Sequence, residues 1–424
     1  MMNNLKTFKI LTLGCKVNQY DSQVIREQLE KVGLRESDTT RKADCYVINT
    51  CTVTKSADSQ SRNLIRSAKR ENPQARIVVT GCYAHLNARN IQAIDGVDLI
   101  VNNDDKLALR EHLLPYLEKS SPRQDVGISN FNGHTRAFVK VQDGCDNFCS
   151  FCKVPYVRGR SRSRPLDAIV REVKKLSQNG YKEVVLTGVC LGDYGRKLEP
   201  KRDIVEVIDA LEEIDDIVRI RLSSIEAGDI SDRLIAKMKS SKKLCAHLHI
   251  PFQSGDDRIL KAMNRRDTRQ AYINLVRTLK HAIPDIGISA DIMIGFPGEG
   301  DKEFQNTLDF VQEVAPMRVH IFSFSPRDFT RLSHADTRID SNVLKQRYGL
   351  LKELCDNVST AFKQHFKNKA IEVLFEELKN GFWQGYTRNY LLVLVKNEGF
   401  NLLNTTTQVV IERITQSQMY AKLR

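Results

Sequence analysis

The sequence predicts an α/β fold in three parts: an N-terminal parallel-sheet domain, a partial (β/α)6 barrel and a small C-terminal β-barrel. Three observations predict it. Apolar β-rich runs alternate with helical patterns over the first ~115 residues, as in βαβ units. From residue 136 the alternation resumes at a longer spacing, with six strand–helix units where a closed TIM barrel needs eight. From residue 369 the long helices stop, and short strands alternate with Lys-Asn-Gly and Lys-Asn-Glu-Gly turns.

The elements follow in order. N-terminal strands are expected at 8–13, 45–49, 76–80 and 97–101, with helices at 22–32 and 56–72, giving a first domain at 6–118. Ser, Pro, Asn and Gly dominate 119–134, which reads as a linker. Barrel strands are expected at 137–141, 183–187, 218–223, 246–250, 288–294 and 319–324. Helices at 165–179, 204–213, 231–240, 269–282 and 301–314 fill the gaps, and 342–368 reads as helical. The second domain is therefore 135–366. The tail, 367–424, carries strands at 371–376, 390–395 and 408–414.

Bulk properties narrow the function. At 424 residues, 41% hydrophobic and 28% charged, the chain has the composition of a soluble globular protein. No apolar run reaches the ~20 residues of a membrane helix, and the start has no signal-peptide pattern. A cytoplasmic protein without a membrane partner is expected. Ten cysteines in such a chain point to metal or catalytic thiols rather than a disulfide scaffold. The net charge of +13 favours an anionic partner, with nucleic acid the obvious candidate.

Cys145, Cys149 and Cys152 form a CxxxCxxC triple. A [4Fe–4S] cube usually takes four thiolates, so three close ones leave an iron free to bind a small molecule. The competing reading is a structural zinc site, but zinc sites pair CxxC units or add His, and neither pattern occurs here. A second triple, Cys15, Cys51 and Cys82, sits just past the carboxyl ends of three expected strands. Parallel strands bring those ends to one sheet edge, so these residues can converge on a second three-thiolate site. Cys45, Cys245 and Cys355 read as core residues, and Cys190 as a packing residue in a loop near the site.

The expected barrel mouth follows from the strand ends. It comprises Thr187 and Gly188, Ser223 and Glu226, Gln253 and Ser254, then Gly295, Phe296 and Pro297. After Cys152 runs a basic loop with Arg158, Arg160, Arg162 and Arg164, whose guanidinium forks match phosphate geometry. In the tail, Phe382, Trp383, Tyr386 and Tyr390 read either as base-stacking residues or as core.

Together these residues resemble the radical S-adenosylmethionine (SAM) methylthiotransferases over nearly the whole chain. The resemblance implies an N-terminal cluster domain, a radical SAM core and a TRAM-like RNA-binding barrel. It implies two [4Fe–4S] clusters, one on each triple, and SAM at the barrel-mouth residues. The segments 186–189, 249–255 and 294–299 also look like family motifs. Leu13-Gly-Cys-Lys-Val-Asn-Gln-Tyr20 and Val47-Ile-Asn-Thr-Cys-Thr-Val-Thr54 look like the subgroup acting on N6-threonylcarbamoyladenosine at tRNA position 37. The sixth-strand loop, Ser325-Pro-Arg-Asp-Phe-Thr-Arg331, departs from the family's usual small residues. The implied activity is radical methylthiolation of adenine C2 with two SAM. Implied partners are a tRNA anticodon stem-loop and a low-potential electron donor, and a monomer is expected. Alternatives are isopentenyladenosine in tRNA, a ribosomal-protein aspartate, or a non-catalytic iron–sulfur carrier or RNA-binding protein.

Overall fold

The computed structural model describes residues 5–38, 40–113, 115, 127–333 and 339–424. Five parallel strands form the N-terminal sheet: β1 (Thr7–Thr12), β2 (Arg35–Glu36), β3 (Cys45–Thr50), β4 (Arg76–Gly81) and β5 (Leu99–Ile100). Their order is β2-β1-β3-β4-β5. Every residue of β3 is buried, as a central strand covered on both faces requires. Helices α1 (Lys16–Lys31) and α2 (Lys55–Glu71) follow β1 and β3, and a single short turn, α3 (Cys82–Leu86), follows β4. Thr54 caps α2 by accepting the Ala57 N–H at 3.1 Å. Helix α1 starts six residues before the expected position because Cys15, which carries no capping signal, occupies its N-cap.

Residues 119–126 of the expected linker lie outside the described residues. The rest of it is packed, not free. Ile128 and Phe131 are buried in the main core, and the backbone N–H groups of Ser129 and Asn130 donate to Glu27 Oε1 at 2.7 and 2.9 Å.

The central unit is an open six-stranded barrel. It contains β6 (Arg136–Lys140), a two-residue ladder of β7 (Gln142–Asp143) and β8 (Arg162–Ser163), then β9 (Glu183–Thr187), β10 (Arg219–Leu222), β11 (His247–Gln253), β12 (Gly287–Ile294) and β13 (Arg318–Ser323). Two parallel sheets, β10-β9-β6 and β11-β12-β13, are joined by bridges from Ile220 to Leu244 and from Ser224 to His249. Strands β6 and β13 are the free edges, and α1 lies against β6. The register slips between Ile250 and Gln253, and this bulge leaves Gln253 at φ 69°.

The tail closes into a five-stranded barrel: β14 (Ala370–Lys379), β15 (Phe382–Thr387), β16 (Leu392–Lys396), β17 (Thr406–Ile414) and β18 (Met419–Leu423), in order β14-β15-β16-β18-β17. Two of these, β15 and β18, are additions to the expected strands. The bend after β15 docks on the amino-terminal ends of the central strands. Arg219 Nη1 donates to Tyr386 O at 2.8 Å, and Arg221 donates to Thr387 O at 3.2 Å and Arg388 O at 3.0 Å. Glu183 balances this arginine cluster, lying 2.6 Å from Arg221 Nε. Gly287 is required there, because a Cβ would meet Asn389 O at 2.2 Å. Tyr390 sits among Arg136, Arg221 and Arg318 and stacks on His247, while Trp383 is in the barrel core. These two aromatics are therefore structural, not open to bases. The carboxyl ends of the central strands lie at the opposite end of the barrel.

Candidate active site

The N-terminal cysteines meet because three parallel strands end together. Gly14, at φ 104°, carries the chain so close to Cys51 that a Cβ would lie 2.9 Å from its Sγ. Asn18 ties the strand ends, its Nδ2 donating to Leu13 O at 2.7 Å and Thr50 O at 2.9 Å. Thr50 Oγ1 donates to Thr80 O at 2.5 Å, drawing β4 and Cys82 to the same edge. Burial pushes the Cys51 thiol up to about 11, with Cys82 and Cys15 adding to the effect.

The second triple lies on the loop after β7. Gly144 permits its entry, since a Cβ would meet Arg160 O at 2.1 Å. The loop is pinned from the far side of the barrel: Asn264 Nδ2 donates to Asn147 O at 3.2 Å and Phe148 O at 3.1 Å, and Ser150 Oγ donates to Ala262 O at 2.9 Å. Each sulfur has an N–H donor: Asn147 N at 3.4 Å from Cys145 Sγ, Arg265 Nη1 at 3.8 Å from Cys149 Sγ, and Val154 N at 3.5 Å from Cys152 Sγ. Such donors stabilise thiolate ligands. Burial pushes the Cys152 thiol up to about 12, so metal binding there displaces a proton. Cys190, expected as a packing residue, is buried but also touches this site. Its Sγ accepts from Asn147 Nδ2 at 3.7 Å and donates to Asp229 Oδ2 at 3.8 Å, and its proximity holds the Cys145 thiol below its ordinary pKa.

A cavity of about 510 Å³ joins the two triples, with Cys15, Cys51, Cys82 and Cys152 on its wall. Thr187, Gly188, Ser223, Glu226 and Gln253 line it as expected. Ser223 Oγ and Gln253 Oε1 are buried there without a hydrogen-bond partner, which suits a polar ligand. Glu226 is held by Arg265, whose Nη1 is 2.9 Å from Oε1. Ser254, Gly295, Phe296 and Pro297 are not on the cavity wall. Ser254 Oγ instead accepts the Asp256 N–H at 3.2 Å, the Gly295 N–H donates to Glu299 at 2.9 Å, and Phe296 packs on Phe151 and Phe324. These residues shape the turns behind the wall.

The basic loop divides. Arg158 is buried, so the expected phosphate contact is corrected: its Nη1 is 2.9 Å from Asp143 Oδ1 and its Nη2 is 2.7 Å from Asn18 Oδ1. Lys140 and Lys106 complete this network, each 2.5 Å from Asp21. Arg164 is likewise turned inward, 2.7 Å from Glu172 and 2.9 Å from Tyr20 Oη. Arg160 and Arg162 remain outside, with side chains 69% and 60% exposed. The sequence reading missed Arg327, which crosses from the sixth-strand loop to Thr52 O at 2.9 Å and Asp58 at 2.7 Å. It also missed Asp291, on the cavity wall between His249 at 3.0 Å and His320 at 3.2 Å.

Residues 139–311 match the Radical SAM superfamily, and residues 7–102 match the uncharacterized protein family UPF0004. The threonylcarbamoyladenosine tRNA methylthiotransferase MtaB of Bacillus subtilis is 36% identical over 92% of this chain and 91% of its own. The chain belongs to the radical SAM methylthiotransferase family. Another relative is the tRNA-2-methylthio-N(6)-dimethylallyladenosine synthase of Alkaliphilus oremlandii, 34% identical over 88% of this chain and 82% of its own. The fold is shared with TsrM of Kitasatospora setae, a radical SAM methyltransferase solved with cobalamin and a [4Fe–4S] cluster. The TM-score is 0.55 at 12% identity, covering 77% of each chain.

Radical SAM membership brings a [4Fe–4S] cluster and SAM, and the donor set at Cys145, Cys149 and Cys152 fits them. In neither cysteine triple do the three sulfurs all lie within 4.8 Å of one another. A tetrahedral zinc shell would hold its sulfurs about 3.8 Å apart. A cube, which spreads three sulfurs over three irons, tolerates the wider set. No helix among the described residues is long and apolar enough to cross a membrane.

Proposed function

We propose that this protein methylthiolates C2 of N6-threonylcarbamoyladenosine at tRNA position 37, with a second [4Fe–4S] cluster on Cys15, Cys51 and Cys82 and two SAM per product. One observation carries the reading: a single cavity has cysteines of both triples on its wall. A reaction that joins sulfur to carbon needs the sulfur source and the radical source to face one buried base. When bound, the Cys145–Cys149–Cys152 cluster and SAM supply hydrogen abstraction from an unactivated C–H bond, and the N-terminal cluster supplies sulfur.

The chain's own residues supply the rest. Phe151, Met293, Phe322 and Phe324 give the cavity an apolar wall that keeps water from the reacting base. Ser223 and Gln253 offer hydrogen-bonding atoms for SAM, and Arg265 fixes the orientation of Glu226 beside them. The base enters flipped from a single-stranded loop, the state in which RNA bases are open to such contact. Arg160 and Arg162 lie outside the cavity where phosphates of an anticodon stem-loop can reach them. The TRAM-like tail barrel extends the RNA-binding surface, and a low-potential donor supplies electrons.

The subgroup is supported by the name of the Bacillus subtilis relative and by the residues around Cys15 and Cys51. The dimethylallyladenosine reading has the support of the Alkaliphilus relative. Mass spectrometry of tRNA nucleosides from a deletion strain separates them. Loss of the methylthio-threonylcarbamoyl nucleoside is expected, and its persistence would refute the subgroup. For the second cluster, anaerobic reconstitution should load about eight irons per chain, at four per cube. A count that stays the same when Cys15, Cys51 and Cys82 become Ala would end the two-cluster reading.

A further inference from the structure

Lys153 is a buried cation on the cavity wall. It is 3% exposed, and its Nζ lies 3.5 Å from Thr52 Oγ1 and 5.7 Å from the centre of the Phe329 ring. Among the described residues no carboxylate comes within ion-pair distance of it. Neighbouring buried cations do have carboxylates within ion-pair distance: Arg158, Lys106 and Lys140 share Asp143 and Asp21, Arg327 has Asp58, and Arg265 has Glu226. An ammonium withdrawn from water is unfavourable unless an anion or several hydrogen bonds compensate it.

The cavity supplies the place for that anion. Lys153, Thr52, Val53 and Arg327 line it together. Val53 is 59% exposed, so this wall reaches the solvent opening. The wall belongs to the Cys51 side: Thr52 directly follows Cys51, and Arg327 donates to Thr52 O and Oγ1, both at 2.9 Å. The residues suited to SAM, Ser223, Glu226 and Gln253, come instead from the ends of β10 and β11. Lys153 follows Cys152 in the chain, and its Nζ turns to Thr52 on the Cys51 side, which favours an anion brought by the RNA base.

We infer that Lys153, beside Thr52 and Arg327, receives the free carboxylate of the substrate's threonylcarbamoyl group. This rests on the threonylcarbamoyladenosine reading above. A dimethylallyl group has no charge to offer Lys153, so the residue also sets specificity.

The test uses full-length, cluster-loaded enzyme and two anticodon stem-loops. One carries N6-threonylcarbamoyladenosine at position 37, and the other carries the same nucleoside with its carboxylate converted to the neutral amide. Fluorescence anisotropy gives RNA affinity, and SAM cleavage without RNA gives the KM for SAM. Wild type should bind the acid at least about tenfold more tightly than the amide. Lys153→Met should erase that difference by weakening the acid alone, Lys153→Arg should keep most of it, and the KM for SAM should not move. Equal binding of acid and amide by wild type would overturn the inference whatever the variants do. So would a raised KM for SAM in Lys153→Met with RNA discrimination intact, which would give the anion to SAM. Wild type that methylthiolates dimethylallyladenosine RNA but neither threonylcarbamoyl RNA would refute the substrate reading itself.

Discussion

Arg265 Nη1 lies 3.8 Å from Cys149 Sγ while the same guanidinium grips Glu226. It joins the cluster loop to the cavity wall. Arg265→Leu removes the sulfur's hydrogen bond and leaves a largely buried carboxylate unpaired, which costs about 3–5 kcal/mol. Denaturant titration of the apo protein measures that loss. Arg265→Lys keeps the charge but loses the fork. With a weaker hydrogen bond to Cys149, its cluster should titrate at a lower reduction potential than wild type, read by EPR-monitored redox titration.

The two faces of the basic loop should separate in RNA binding. Arg160→Ala and Arg162→Ala should each reduce the salt dependence of stem-loop binding by about one counterion. Arg158→Met should leave that slope alone and instead destabilise the fold by about 1.5–3 kcal/mol, because Asp143 and Asn18 lose buried charge-assisted hydrogen bonds while Lys140 and Lys106 still compensate the carboxylates. A slope unchanged from wild type on replacing both exposed arginines would remove the loop from the RNA interface.

Glu183 gives a pH signature. Burial alone would raise its pKa, but Arg221, Arg136 and Arg219 outweigh burial and hold it below the usual carboxylate range. A group depressed in the folded state stabilises the fold fully above its unfolded pKa, about 4.3. That contribution fades as pH falls from there through the lower folded value. Glu183→Gln should therefore be less stable than wild type by about 3–5 kcal/mol at pH 7. The gap should narrow only below about pH 4.3. Unfolding midpoints of both proteins between pH 7 and pH 3 check this.

Gly81 stands at φ 93°, and a Cβ would meet Thr50 O at 2.5 Å. Gly81→Ala should destabilise the N-terminal sheet by at least about 1–3 kcal/mol and displace Cys82. Iron analysis after reconstitution should fall toward half, with SAM cleavage retained.

Local patterns made much of this molecule legible. The apolar run before each of Cys15, Cys51 and Cys82 announces a strand, and parallel pairing then brings the three together. Side-chain direction was harder to read. Arg158 looks like its neighbours in sequence, yet Asp21, 137 positions away, draws it inside. Arg327 is set by Thr52, 275 positions away. Strand β15 escaped notice because its buried face is Trp383, Gly385 and Thr387, which shows no apolar alternation. Gly385 is forced by Leu374 O, which would lie 2.4 Å from a Cβ.

The bend from Tyr386 to Asn389 stops the central barrel at its base. Val53, 59% exposed, marks where the cavity meets solvent. On the proposed reaction, SAM and the RNA base would share that opening, so a bound stem-loop should slow the exchange of SAM and its products. The C-terminal barrel, by sealing the far end, turns a question of chemistry into one of scheduling.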